Sequence, residues 1–439
     1  MMRRACLLLW LIAGALPAFA GGPLLVGGPN TPIDGQPYKW NNSLPIQYRV
    51  DPGPLSTLGG VVKYDNPYGG QLVDSMFSVW HSVPTASISF TNAGAILPAG
   101  AYAGGDVQTV AQFAAVDQSC LNGTQSPIIF DADGSLFTAL VGDPNVIGFT
   151  SPCALDAAGK IVSAEVAMNG AFVNGGTTYQ LTLEKFKATF IHEFGHFIGL
   201  DHSQINENCL GGGCPADDLD GLPTMFPILV TELMGTLSAD DTAWVSKLYP
   251  AANFPANYGT IKGTVLFTDG ITPAQGVNVI ARQVDNPATP QNESRIVAVS
   301  AVSGLYFTGN PGQSMTANYL RCWVGACPGG YYDNNTGGSM FGSRRPALIG
   351  YFEIPLPPGS YTLEVESILS GFSGGSSVGP LSPPIKMPGS APPTGPITVT
   401  AGADTTGITI VLQGTPPRTD AFESARLFLP LIGEAEVTA

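Results

Sequence analysis

The chain has 439 residues, a net charge of −15 and only 12% charged residues. The acidic balance, with no basic stripe, excludes nucleic acid as a partner. No run reaches the ~18 apolar residues that a spanning helix needs, which excludes stable membrane insertion. The 55 glycines and 38 prolines predict many turns, short strands and long surface loops, in two domains.

The N-terminus has a basic start (Met1-Met2-Arg3-Arg4), a short apolar core (Leu7–Leu16) and an Ala18-Phe19-Ala20 end. This predicts a secretory signal peptide over 1–20, cut after Ala20, with a short membrane anchor as the alternative. Cys6 falls inside it, so six cysteines remain in a chain bound for an oxidising space. Pairing of near neighbours gives Cys209–Cys214 and Cys322–Cys327 and leaves Cys120 with Cys153. Other connectivities stay open, and a thiolate zinc site is the rival reading.

Residues 21–40 are Gly- and Pro-rich, extended, and too short for a substantial inhibitory prodomain. Residues 44–51 alternate as a strand. Leu72, Val73, Met76, Phe77 and Trp80 recur at helical spacing and predict a helix over 71–81, with Ile88 and Phe90 in a following strand. His81 ends that helix as a capping or solvated group rather than a ligand. Asp131-Ala132-Asp133-Gly134 places paired aspartates before a glycine, which can open a calcium loop. The twelve-residue calcium pattern is incomplete, and an Asp-Gly turn reads the same way. Residues 146–152 and 160–169 are strands, the second alternating Val162, Ala164, Val166 and Met168 against Ser163, Glu165 and Ala167.

Residues 192–202 then read His-Glu-Phe-Gly-His-Phe-Ile-Gly-Leu-Asp-His, and three of the four histidines of the chain lie here. His192 and His196 are four apart and leave one face of a helix one turn apart, so both imidazoles can bind one Zn²⁺. Glu193 is next to the first ligand and can reach an activated water without ligating. Gly199 can take a positive φ and end the helix, so that His202 returns as a third ligand. Leu183, Phe186, Phe190, Phe194 and Phe197 recur on the opposite face, and Thr182 is the N-cap, with Glu184 in the first turn.

This segment resembles the zinc helix of the metzincin metallopeptidases. Leu222-Pro223-Thr224-Met225-Phe226-Pro227 resembles their methionine turn, with Met225 as the apolar floor beneath the ligands. Ser203 after the third histidine, the Met-aromatic-Pro order, and Leu237–Asp241 running on to Lys247-Leu248-Tyr249 are similar to the matrixin branch. The resemblance covers about residues 40–250. It implies an α+β catalytic domain over 41–250, a mixed sheet with the zinc helix, in which 160–169 forms the cleft edge along which substrate lies. Neither the latency cysteine nor the extra histidine cluster of many matrixins has a counterpart here. The 22 residues between His202 and Met225 are more than matrixins usually have. This insert either shapes the cleft or decorates the surface.

From Tyr258 the pattern changes to short strands at Thr260–Phe267, Val277–Gln283, Ile296–Val302, Gly350–Ile354, Ser360–Val365 and Ile408–Leu412. Turns at Thr268-Asp269-Gly270 and Pro357-Pro358-Gly359 separate some of them, which predicts an all-β sandwich over 258–413. Gly259–Val265 and Leu356–Leu363 resemble carboxypeptidase-regulatory-like, transthyretin-type domains, which are accessory. Residues 309–348 read as a long inserted loop able to bind a carbohydrate or protein surface, or simply tied by a disulfide. Residues 414–439 are a tail. The sequence therefore predicts a secreted zinc endopeptidase acting on protein or peptide substrates, with Zn²⁺ on the histidines and Ca²⁺ as a lesser second expectation. The alternative is a surface-binding or adhesive protein built on a catalytically quiet scaffold.

Overall fold

A computed structural model describes residues 21–412 except 144, 177–179, 212, 267–269, 272, 275–276, 307–341, 344 and 368–394. The expected signal peptide, the expected Cys322–Cys327 pair, most of the 309–348 loop and the tail lie outside the described residues.

The first half carries β1 (Lys39–Trp40), β2 (Ile46–Val50), β3 (Ser56–Leu58), β4 (Val61–Tyr64), α1 (Asn66–His81), β5 (Phe90–Ala95), α2 (Val110–Leu121) and β6 (Pro127–Asp131). It continues with α3 (Ser135–Leu140), β7 (Gly148–Leu155), β8 (Lys160–Asn169), α4 (Leu183–Phe197), α5 (Ala216–Asp220) and α6 (Ala239–Leu248). α1 begins five residues before the predicted helix because Asp65 caps it, accepting from the Tyr68 amide at 3.0 Å, and Pro67 fits its first turn. α2 was not visible as an apolar stripe. It rests on a capping box between Thr109 and Gln112.

One sheet organises this half. β5, β2, β6 and β8 run parallel in that order, β1 adds briefly to β8, and β7 pairs antiparallel along the other side of β8. Alternate residues of the central strands point into two layers, as a period of two requires. Ile128, Phe130, Val166 and Met168 join the core under α1 and α4, whereas Ile129 and Ala167 join Phe113, Val116, Leu136 and Phe137 under α2 and α3. Phe77 of α1 and Phe194 of α4 stack at 3.7 Å between ring centres. Cys120 of α2 is bonded to Cys153 of β7, with 5.5 Å between Cα atoms.

Two expectations are corrected here. β8 is not the cleft edge: it is paired on both sides, and the outer strand is β7. The alternation read as amphipathic is a strand buried on both faces from Ser163 onward, with Ser163 and Glu165 buried and Val162 exposed. The Asp131–Gly134 loop is not a calcium cage. Asp131 accepts from the Gly134 and Phe137 amides at 3.1 and 2.8 Å, and Asp133 from the Ser135 amide at 3.0 Å. Both carboxylates thus start α3, and Gly134, at φ 82°, makes the turn.

After α7 (Phe254–Asn257) come β9 (Gly259–Leu266), β10 (Val277–Gln283), α8 (Glu293–Ile296), β11 (Ala298–Val302), β12 (Tyr351–Leu356), β13 (Gly359–Ser367), β14 (Ile397–Val399) and β15 (Asp404–Val411). They form a sheet ordered β11-β10-β13-β14 and another ordered β12-β9-β15, the last pair parallel. Val279, Ala281, Val299 and Val365 from one sheet and Ile261, Phe352, Ile354 and Ile410 from the other share one apolar core. The whole is a mixed α+β architecture with one largely parallel sheet and antiparallel ones. No helix among the described residues is long and apolar enough to cross a membrane.

The insert after His202 is packed on two sides. Its Cys209–Cys214 disulfide (5.0 Å between Cα atoms) packs with Leu222, Phe226 and Met234. Its other side meets the second half: Asp217 accepts from the Asn292 amide at 3.0 Å, and Arg295 lies 3.4 Å from buried Asp218.

Candidate metal centre

The last two turns of α4 carry His192 and His196, and the chain turns back at Gly199 with φ 90°. That turn brings His202 onto them. The three Nε2 atoms form a triangle with every side 3.1 Å. His192 Nδ1 faces the Thr224 carbonyl and His196 Nδ1 the Leu200 carbonyl, each at 2.8 Å. A carbonyl only accepts, so each Nδ1 carries the proton and each Nε2 of these two presents a lone pair.

Burial, opposed only in part by the bond to Thr224, holds His192 down at about 4. Burial and then the neighbouring His192 hold His196 down at about 3. Both are neutral at pH 7. Nitrogen lone pairs converging at 3.1 Å repel one another unless a cation lies among them. Tetrahedral ligation with metal–nitrogen bonds of ~2.0–2.1 Å puts ligand atoms about 3.3 Å apart, close to what is found. The three histidines can hold a metal ion and, among the described residues, are the only such group.

Glu193 stands beside them and is not part of that group. Its Oε2 accepts from Thr150 Oγ1 of β7 at 2.7 Å, deep in the protein. Burial raises its carboxyl to about 7, the hydroxyl of Thr150 working against the rise. Gly148 leaves it room: a Cβ there would press on the Glu193 side chain and on Met168.

Met225 is buried, and its thioether packs where Gly195 has no side chain; a Cβ on Gly195 would run into the Met225 sulfur. The turn around Met225 hangs on Asp241 of α6. That carboxylate accepts from the Thr224 amide at 2.8 Å, the Met225 amide at 3.0 Å and the Ser238 amide at 2.7 Å. Thr224 in turn orients His192, so Asp241 supports a ligand from two steps away.

The end of α4 is closed by the N-terminal segment and by Tyr249, which follows α6. Trp40 Nε1 donates to the Phe197 carbonyl at 2.7 Å, Tyr249 Oη to Ile198 at 2.6 Å, and the Leu24 amide to Gly199 at 2.8 Å. These acceptors would otherwise be orphaned at the helix end. Comparison of the chain with protein-family models, with curated proteins and with solved structures finds no match.

Of the residues singled out in the sequence, His192, His196, His202, Glu193 and Met225 come together. Asp131 and Asp133 do not join them. His81 stands apart, its Nδ1 2.8 Å from the Ile88 carbonyl. Thr150, Thr224 and Asp241 were missed as site residues. Only Asp241 left a signal, the S-x-x-D capping box of α6.

Proposed function

We propose that the chain is a secreted zinc-dependent endopeptidase of the metzincin type. The observation that carries the reading is a single one: three imidazole nitrogens converge in a 3.1 Å triangle with a buried, non-ligating carboxylate on the same helix. Three neutral imidazoles suit zinc, although they suit copper, iron and nickel as well. Zinc is preferred because hydrolysis at such a site needs a Lewis acid without redox chemistry.

When bound, the metal would polarise a carbonyl oxygen and make a water more acidic. The chain's own residues do the rest. Glu193, raised to about 7, takes the proton of the attacking water and returns it to the leaving amine. Thr150 holds one carboxylate oxygen, which fixes the direction of the other. Among the described residues β7 is paired on one side only, to β8, so a peptide can add to its other side through main-chain hydrogen bonds. Two disulfides among the described residues fit an oxidising compartment.

The test is cleavage of casein by the parent protein and by Glu193→Ala, with zinc measured on both. The expected result is equal zinc, loss of parent activity on chelation, and at least ~10²-fold less cleavage by the variant. Zinc in both with cleavage by neither would transfer the reading to a binding or adhesive protein. A folded parent without zinc would remove the metal centre altogether.

A further inference from the structure

The four residues after His202 are clamped one after another by the second half of the molecule. Ser203, Gln204, Ile205 and Asn206 are all buried, yet they belong to no helix or strand. Ser203 Oγ lies 3.2 Å from Ser300 Oγ. The Gln204 carbonyl accepts from Asn278 Nδ2 at 2.7 Å. Ile205 packs with Ile280 and Ala298. Asn206 Oδ1 accepts from Arg282 Nη1 at 2.9 Å, with Asn206 itself held at φ 61°.

The partners follow the period of a strand. Asn278, Ile280 and Arg282 alternate along one face of β10 and meet 204, 205 and 206 in order. Val277, Val279 and Ala281 on the other face belong to the apolar core of the second half. β11 repeats the pattern, with Ala298 and Ser300 outward and Val299 and Ala301 inward. An antiparallel pair covered on one side normally turns polar residues to water on the other. Here Asn278, Arg282 and Ser300 are buried instead, and each meets the His202 loop. Ser300 also donates its amide to Asp240 at 2.7 Å, next to the Asp241 that carries the methionine turn.

We propose that Asn278, Ser300 and Arg282 are positioning residues of the metal centre: the outer face of β10 and β11 holds the His202 loop in the one conformation that delivers the third ligand. The second half is therefore part of the centre, not an appendage to it. A loop without repeating structure fixes a ligand only as well as its neighbours fix the loop, and partners one step behind the ligands typically change metal affinity 10–100-fold. The proposal rests on the metal reading of the three histidines and not on peptide hydrolysis.

The experiment uses the full-length protein loaded with zinc and follows transfer of zinc to excess chelator. Asn278→Leu keeps the number and branching of the side-chain heavy atoms and removes the donor to Gln204. Val279→Ala damages the same strand on its inward face and reports what mere destabilisation does. Ser300→Ala removes one hydroxyl and serves if Asn278→Leu does not fold. Circular dichroism and Tm are read on every sample. The expected result is release at least ~10-fold faster from Asn278→Leu or Ser300→Ala, with Val279→Ala within about twofold of the parent at a comparable loss of Tm. A cobalt-loaded Asn278→Leu protein should also show a shifted visible absorption band. Release from both outward variants within twofold of the parent overturns the proposal, as does equally fast release from Val279→Ala. A parent that binds no zinc overturns the metal reading instead, and is recognised before any variant is made.

Discussion

His192 and His196 reach the centre from a helix, whereas His202 reaches it from a loop. The helix limb is local: a spacing of four residues sets the two ligands, and a seam of phenylalanines buried to 0% exposure locks the helix face behind them. The loop limb is not local. It depends on Gly199 for its turn, on the methionine turn through the bond from the Ser203 amide to the Met225 carbonyl at 2.7 Å, and on β10 and β11 for its conformation. Regular secondary structure supplies the geometry of a ligand pair from sequence alone, while a ligand outside it draws its geometry from whatever the fold brings alongside.

The comparison can be broken hardest at Asp241. Asp241→Asn replaces an acceptor of three amides by a group that must turn an NH₂ toward one of them, leaving buried donors unpaired. A cost of roughly 3–5 kcal/mol is expected, and chemical denaturation of the metal-free protein measures it. His192 should lose its orientation with the turn, so metal affinity falls in the same variant.

The two disulfides sharpen the contrast next. Cys120–Cys153 closes a separation of 33 residues between layers of the sheet, and Cys209–Cys214 a separation of 5 within the insert. Loop-closure entropy assigns about 4 kcal/mol to the first and about 2 kcal/mol to the second. Paired Cys→Ser substitutions should rank in that order by denaturant midpoint. The inverse ranking would mean that the insert carries more of the fold than its span suggests.

Gly195→Ala probes the helix limb. Alanine favours a helix by up to ~1 kcal/mol over glycine, but its methyl would occupy the place of the Met225 sulfur. A net loss of about 1–3 kcal/mol is expected from overpacking, visible as a lowered Tm. A smaller loss from Gly195→Ala in a Met225→Ala background than in the parent would identify the contact.

The last effect is in pH. His192 and His196 are held down at about 4 and about 3 in the folded chain, against ~6.5 when unfolded. Their folded values are depressed, so below ~6.5 the unfolded chain takes up protons first. Metal-free protein should therefore lose stability as pH falls from ~6.5 toward 4. Replacing both by Gln should flatten Tm over that window, and an unchanged slope would mean that other groups dominate it.

The helix limb was legible in the sequence down to its cap: Thr182 accepts from the Lys185 amide, as its place before the apolar stripe implied. So was the positive φ of Gly199. What the sequence hid has a common cause. β8 reads as alternating because Ser163 and Glu165 are polar, yet both are buried on the face that α2 covers, Ser163 donating to the Cys120 carbonyl at 2.6 Å. Asp131 and Asp133 look like metal ligands because the geometry that starts a helix and the geometry that opens a cation loop use the same residues. Asn278, Arg282 and Ser300 read as solvent-facing positions of a strand, and only packing reveals what covers them. In each case the residue type alone is ambiguous, and the partner decides its role: local amides for the two aspartates, and groups far along the chain for the buried polar residues of the strands.

The N-terminal segment adds one more bond to the loop limb: the Asp201 amide donates to the Gly22 carbonyl at 2.9 Å, and Gly21 is packed against Ser300 and Trp244. Residue 22 and residue 300 thus close over the same few atoms. A chain growing on a ribosome meets Gly22 near its beginning and Ser300 only after about two thirds of its length. The helix and its first two histidines can form while synthesis continues, whereas the contacts that the proposal assigns to the third, from Asn278, Arg282 and Ser300, arise only when the distant sheet has emerged. On the proposed role of β10 and β11, assembly of the three-histidine group is a late event in the life of the chain, and a product truncated before residue 300 should not complete it.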